Sequence, residues 1–114
     1  MNERRQVPRY IADISAVLSR HDTGSESEVN VQVLSVQGCC VKGLGIPEAG
    51  RKCRISIRWR GEEIRSEAQV AWKDATGLAG LRFLNMDQES SETLRELCAT
   101  LRLQPLASMS TDED

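Results

Sequence analysis

Apolar and polar residues alternate along most of this chain, and the alternation predicts strands before any composition is counted. Val29-Asn30-Val31-Gln32-Val33-Leu34 gives the cleanest period-two pattern, with Val33 continuing the apolar phase of Val29 and Val31. Cys53-Arg54-Ile55-Ser56-Ile57-Arg58-Trp59 alternates without a fault. Within residues 10–18, Ala12, Ile14, Ala16 and Leu18 share one face. Shorter candidates lie at residues 39–44, at 63–72 ending in Ala68-Gln69-Val70-Ala71-Trp72, and at 78–84. Polar and glycine-containing stretches separate them: residues 21–27, Ser35-Val36-Gln37-Gly38, Pro47-Glu48-Ala49-Gly50, the tight Arg60-Gly61-Glu62 connection and Thr76-Gly77. The period then changes. Leu94, Leu97, Cys98 and Leu101 stand at i, i+3, i+4 and i+7, which predicts an amphipathic helix. Ser90 or Ser91 is placed to cap it, Glu92 and Arg102 have the signs its dipole favours at either end, and Pro105 is placed to stop it.

Six short strands separated by turns and followed by one helix argue for an all-β, six-stranded antiparallel barrel with a C-terminal α-helix. The helix covers one opening or packs outside. Trp59 and Phe83 read as core, as do the helix leucines. The expected organisation is an arginine-rich arm at 1–9, the barrel and helix at 10–103, and a flexible acidic tail at 104–114.

Composition narrows the chemistry. A chain of 114 residues fits one domain. No apolar run approaches the roughly 20 residues that span a bilayer, and no apolar stretch follows the first five residues as in a signal peptide. The expected location is the cytoplasm, with the four cysteines reduced. Cys39, Cys40, Cys53 and Cys98 form no C-x-x-C pair, and the lone His21 has no Cys or His at ligand spacing, so they read as small buried hydrophobes and no metal site is expected. No nucleophile, base and orienting group stand in a recognisable context, so the chain does not read as an enzyme. The net charge of −2 disfavours duplex nucleic acid as a partner, but it averages two unlike ends: Arg4, Arg5 and Arg9 near the start, Asp112, Glu113 and Asp114 at the finish. Few aromatic residues also disfavour a single-stranded nucleic acid binder.

Two motifs carry a resemblance to a known family. The first is R-R-x-x-x-R, here Arg4-Arg5-Gln6-Val7-Pro8-Arg9, directly before the first strand. The second is D/N-x-S-x-x-G, here Val33-Leu34-Ser35-Val36-Gln37-Gly38. In this order, with the turn at Pro47 and Gly50, the strands through Val70-Ala71-Trp72 and Gly80-Leu81-Arg82-Phe83, and a closing helix, the chain resembles the PilZ family over roughly residues 3 to 102. These are bacterial β-barrels that bind cyclic di-GMP. The resemblance implies that Arg5 and Arg9 lead the ligand contacts, with Arg4 third, and that Ser35, Gly38 and Trp72 complete them. It implies no cofactor beyond that ligand, and a protein partner that reads the signal.

The residue types suit such a ligand. The arginine fork matches phosphate oxygens and the O6/N7 edge of guanine, and lies flat on a purine. A serine hydroxyl donates to phosphate or accepts from a base. Glycine permits positive φ and close approach of the backbone. Trp72 can stack on a base. At the first position of the second motif, however, the family has Asp or Asn and this chain has Val33. Valine accepts no hydrogen bond from the guanine N1–H and N2–H₂ edge, so a degenerate PilZ-like domain, serving only as a protein-interaction adaptor, stands as the alternative.

Overall fold

The computed structural model describes residues 7–104. The expected arginines Arg4 and Arg5, and all of the expected tail except Gln104, lie outside the described residues. Strands β1 (Tyr10–Arg20), β2 (Glu26–Leu34), β3 (Gly38–Gly43), β4 (Lys52–Trp59), β5 (Glu62–Lys73) and β6 (Leu78–Met86) precede helix α1 (Gln88–Ala99). A two-residue strand β7 (Arg102–Leu103) follows it, which the alternation did not predict.

All pairings are antiparallel. The order β2-β3-β6-β5-β4-β1, with β1 also pairing β2, closes a six-stranded barrel. Closure leaves none of the six with an unpaired edge along its whole length. Inward side chains fill the barrel: Leu18, Val31, Leu34, Val41, Cys53, Ile55, Ile57, Ile64 and Val70 are all buried. Trp59 and Phe83 pack on this core only from its rim and remain partly accessible. The β4–β5 hairpin turns through Arg60 (φ 53°) and Gly61 (φ 78°), with the Arg60 guanidinium 4.6 Å above the Trp59 ring.

Three details of α1 depart from expectation. Its N-cap is Asp87, whose side chain accepts from the Ser90 amide at 2.7 Å, rather than Ser90 or Ser91. Ser90 is buried and its hydroxyl accepts from the Arg65 amide at 3.1 Å, fastening the helix to β5. The first-turn acid is Glu89, and the helix ends at Ala99, where the Thr100 hydroxyl donates to the Leu97 carbonyl at 2.7 Å. Arg102 therefore falls in β7 instead of the last turn, and Pro105, the expected stop, lies outside the described residues. The apolar face is as expected: Leu94, Leu97 and Cys98 are buried, with Leu101 packed beside them.

The chain after α1 returns to the start of the barrel. Tyr10 pairs with Leu103 and Ile11 with Arg102, and the Gln104 amide donates to the Arg9 carbonyl at 2.8 Å. The root of the arm is thus held by backbone bonds from the far end of the domain.

Candidate functional site

Two bulges create the site. Between Val31 and Val33, β2 carries one more residue than β3, since Val31 pairs with Val41 and Val33 with the adjacent Cys40. A single extra residue reverses the phase of everything beyond it. Leu34 is therefore fully buried, and Val33 turns to the outer face. The expectation that Val33 continues the core phase is overturned by this bulge. A second bulge lies in β5 at Ala71, because Val70 pairs with Leu81 and Trp72 with the adjacent Gly80. Unbroken alternation through Ala68 and Val70 would turn Trp72 inward, but the bulge places it outside, 43% exposed.

The two re-aimed side chains meet on the same surface. Cross-strand partners run Ile11–Val33–Cys40–Gly80–Trp72 across five strands, an apolar row on the outside of the barrel. A parallel row runs Gly38–Arg82–Gln69. Above them lies a cleft of about 460 Å³, within the range of small-molecule sites. Val7, Arg9, Val33, Ser35, Gly38, Trp72 and Arg82 are among the residues that line it. Of the expected ligand residues, Arg9, Ser35, Gly38 and Trp72 thus converge on one cleft at the root of the arm.

Glycine is required twice here, in both cases for space. A Cβ on Gly80 would meet the indole Nε1 of Trp72 at 2.2 Å, so the indole lies directly on the β6 backbone. A Cβ on Gly38 would meet the Leu81 carbonyl oxygen at 2.2 Å. Gly38 does not adopt the positive φ expected of it. Its bare backbone instead allows β3 to approach β6.

Ser35 also has a more local task than the expected contact to ligand. Its Oγ accepts from the amides of Gln37 at 3.1 Å and Gly38 at 3.2 Å, and donates to the Gly38 carbonyl at 3.3 Å. The Ser35 amide donates to that same carbonyl at 2.9 Å, and the Gln37 carbonyl accepts from the Phe83 amide at 2.9 Å. The one donor and two acceptor sites of a hydroxyl are thereby occupied. S-x-x-G is a self-closed loop pinned to β6.

The two charged residues that line the cleft, Arg9 and Arg82, are both cationic. Burial pushes the Cys40 thiol up, with the nearby Arg9 charge opposing the rise and the Asp74 carboxylate adding to it. Arg82 donates through Nη2 to Gln69 Oε1 at 2.8 Å, and no carboxylate among the described residues pairs with it. Arg82 was not singled out from sequence. Its signal is the phase Gly80-Leu81-Arg82, which points Arg82 to the side of Trp72, but only once the β5 bulge fixes the register.

The remaining chemistry is structural. All four cysteines are free thiols; Cys39, Cys53 and Cys98 are buried, which pushes the Cys53 and Cys98 thiols up to about 11 and Cys39 higher still. His21 Nε2 sits 2.9 Å from Glu67, which also pairs with Arg54 at 2.9 Å, and none of the three lines the cleft. Among the described residues, no helix is long and apolar enough to cross a membrane.

Comparison with solved structures gives the same architecture. The PilZ domain of CeSA from a cellulose-synthesizing bacterium superposes with a TM-score of 0.65 at 17% identity, covering 81% of this chain and 95% of that one. The PilZ domain of YcgR from Escherichia coli, determined with c-di-GMP, superposes at 0.69 and 17% identity, covering 87% and 92%. The Bacillus subtilis inhibitor of motility MotI/DgrA reaches 0.69 at 22% identity, with 87% of this chain matched to about half (51%) of that one. At these identities the likeness is one of fold. A search of curated proteins returned no match. The PilZ domain family model matches residues 3–100. The chain belongs to the PilZ domain family.

Proposed function

We propose that this chain is a cyclic di-GMP receptor that signals without catalysis. The observation that carries the reading is the convergence of Arg9, the S-x-x-G loop and Trp72 on one cationic cleft at the root of the arginine arm. Arg9, with Arg4 and Arg5 from the arm, takes the phosphates, for which a guanidinium fork is suited. Trp72 offers a stacking face for a base. Ser35 and Gly38 act mainly through the shape of the loop, and present backbone to the ligand. Binding orders the arm across the cleft and so changes the surface around it. A protein partner in the cytoplasm reads that surface, because the ligand shifts the population of arm conformations. The structure of YcgR with c-di-GMP is a precedent for the ligand on this fold.

Isothermal titration with cyclic di-GMP at low salt tests the reading. Saturable heat is expected, with Arg5→Ala and Arg9→Ala each weakening binding strongly and Arg9→Lys failing to restore it. Absence of heat at tens of micromolar ligand overturns it. The adaptor reading draws on one observation, that the cleft holds Val33 where the family has an acceptor. Tight binding by the unaltered protein removes it.

A further inference from the structure

We infer that Arg82 reads the edge of the base stacked on Trp72, and that it supplies guanine selectivity in place of the acceptor missing at Val33. The inference rests on the receptor reading above and adds to it the residue that recognises the base.

Four observations support this role. First, Arg82 stands two residues along β6 from Gly80, the residue that the Trp72 indole covers. Two residues of strand are about 7 Å, roughly the width of a purine, so a base lying on the indole presents an edge to the Arg82 side chain. Second, the cross-strand neighbour of Arg82 towards the S-x-x-G loop is Gly38, which puts no side chain between the guanidinium and the cleft. Third, Arg82 is held without being neutralised. Gln69 Nε2 donates to the Gly50 carbonyl at 3.0 Å, which turns Gln69 Oε1 towards Arg82, where it accepts from Nη2 at 2.8 Å. One of five guanidinium N–H groups is engaged and the fork stays cationic. Fourth, Val33 cannot accept from the N1–H and N2–H₂ edge of guanine, so that edge goes unread at this position.

The chemistry of the fork then sets the preference. Paired N–H donors match the O6 and N7 acceptors of guanine. Adenine puts its N6 amino group where guanine has O6, and two donors would face each other. Selection therefore moves from one edge of the base to the other.

Parallel titrations with cyclic di-GMP and cyclic di-AMP test the assignment, on the full chain and on Arg82→Ala, Arg82→Lys and Gln69→Leu, with folding checked by circular dichroism. The unaltered protein should favour the guanine ligand. Arg82→Ala should weaken cyclic di-GMP about ten- to hundredfold while leaving cyclic di-AMP nearly unchanged, so that the ratio collapses. Arg82→Lys should not restore the ratio, because lysine lacks the fork. Gln69→Leu should narrow the ratio by a smaller factor. An equal loss for both ligands on Arg82→Ala makes Arg82 a phosphate contact and overturns the assignment, as does no loss for either. If the unaltered protein binds neither ligand, the receptor reading itself fails, and the assignment with it.

Discussion

On the receptor reading, affinity turns on Val33. It lies in the cleft, at the position where the family carries Asp or Asn, and offers only methyl groups to it. Introducing an acceptor there adds a base-edge contact of about 1–3 kcal/mol, so Val33→Asp should tighten cyclic di-GMP binding roughly ten- to hundredfold in titration. The core should tolerate the change, since Leu34 and not Val33 fills the interior. Gly80 makes a different demand. A methyl group there cannot coexist with the indole in its present place. Gly80→Ala should displace Trp72, visible as altered tryptophan fluorescence in a Trp59→Phe background, and weaken the ligand while the melting temperature changes little. Both residues stand in strands whose apolar alternation was legible, yet their function depends on which face they occupy. Alternation alone misassigned the face of Val33.

Among the elements, the turn between β5 and β6 is organised by one carboxylate. Asp74 Oδ1 accepts from the Thr76 hydroxyl at 2.7 Å, the Thr76 amide at 2.8 Å and the Leu78 amide at 3.2 Å. These bonds hold its carboxyl below the usual carboxylate range, the Thr76 hydroxyl first. A lowered folded-state value means that the ordering is fully present above the unfolded value of 3.8 and is lost as pH falls through the lower one. Protection of the Thr76 and Leu78 amides, taken relative to the intrinsic exchange rate at each pH, should therefore hold at neutral pH and fall only under acid, and Asp74→Ala should lower it at pH 7. The helix offers a second test. Asp87→Ala removes the cap bond to Ser90 and should cost about 1 kcal/mol, read as a lower midpoint in urea with an unchanged slope. The helix was legible from its leucines. Its cap was not, because serine, aspartate and asparagine are near-equivalent at that position and several stand in a row before Leu94.

At the scale of the whole molecule, the two ends of the domain meet beside the cleft. The amide of Gln104, beyond α1 and β7, donates to the carbonyl of Arg9, the first residue before β1. This fixes the backbone of Arg9 beside the cleft, so that on the receptor reading a ligand there orders less of the chain. Gln104→Pro deletes that donor while leaving the barrel untouched. It should weaken cyclic di-GMP binding several-fold by titration, with little loss in thermal midpoint.

Local patterning alone accounts for the six barrel strands and the helix, and for the residues this chain can offer to an anionic ligand. Period-two and period-3.6 patterns are local, and arginine, glycine and tryptophan carry their chemistry wherever they stand. The tertiary structure decided which of those residues face one another. The bulges at Gln32 and Ala71 and the placing of Arg82 beside Trp72 depend on the register between paired strands, and the return of β7 to Arg9 joins segments from opposite ends of the domain. A single inserted residue in either partner moves a side chain from the core to the cleft, and no local pattern records that choice.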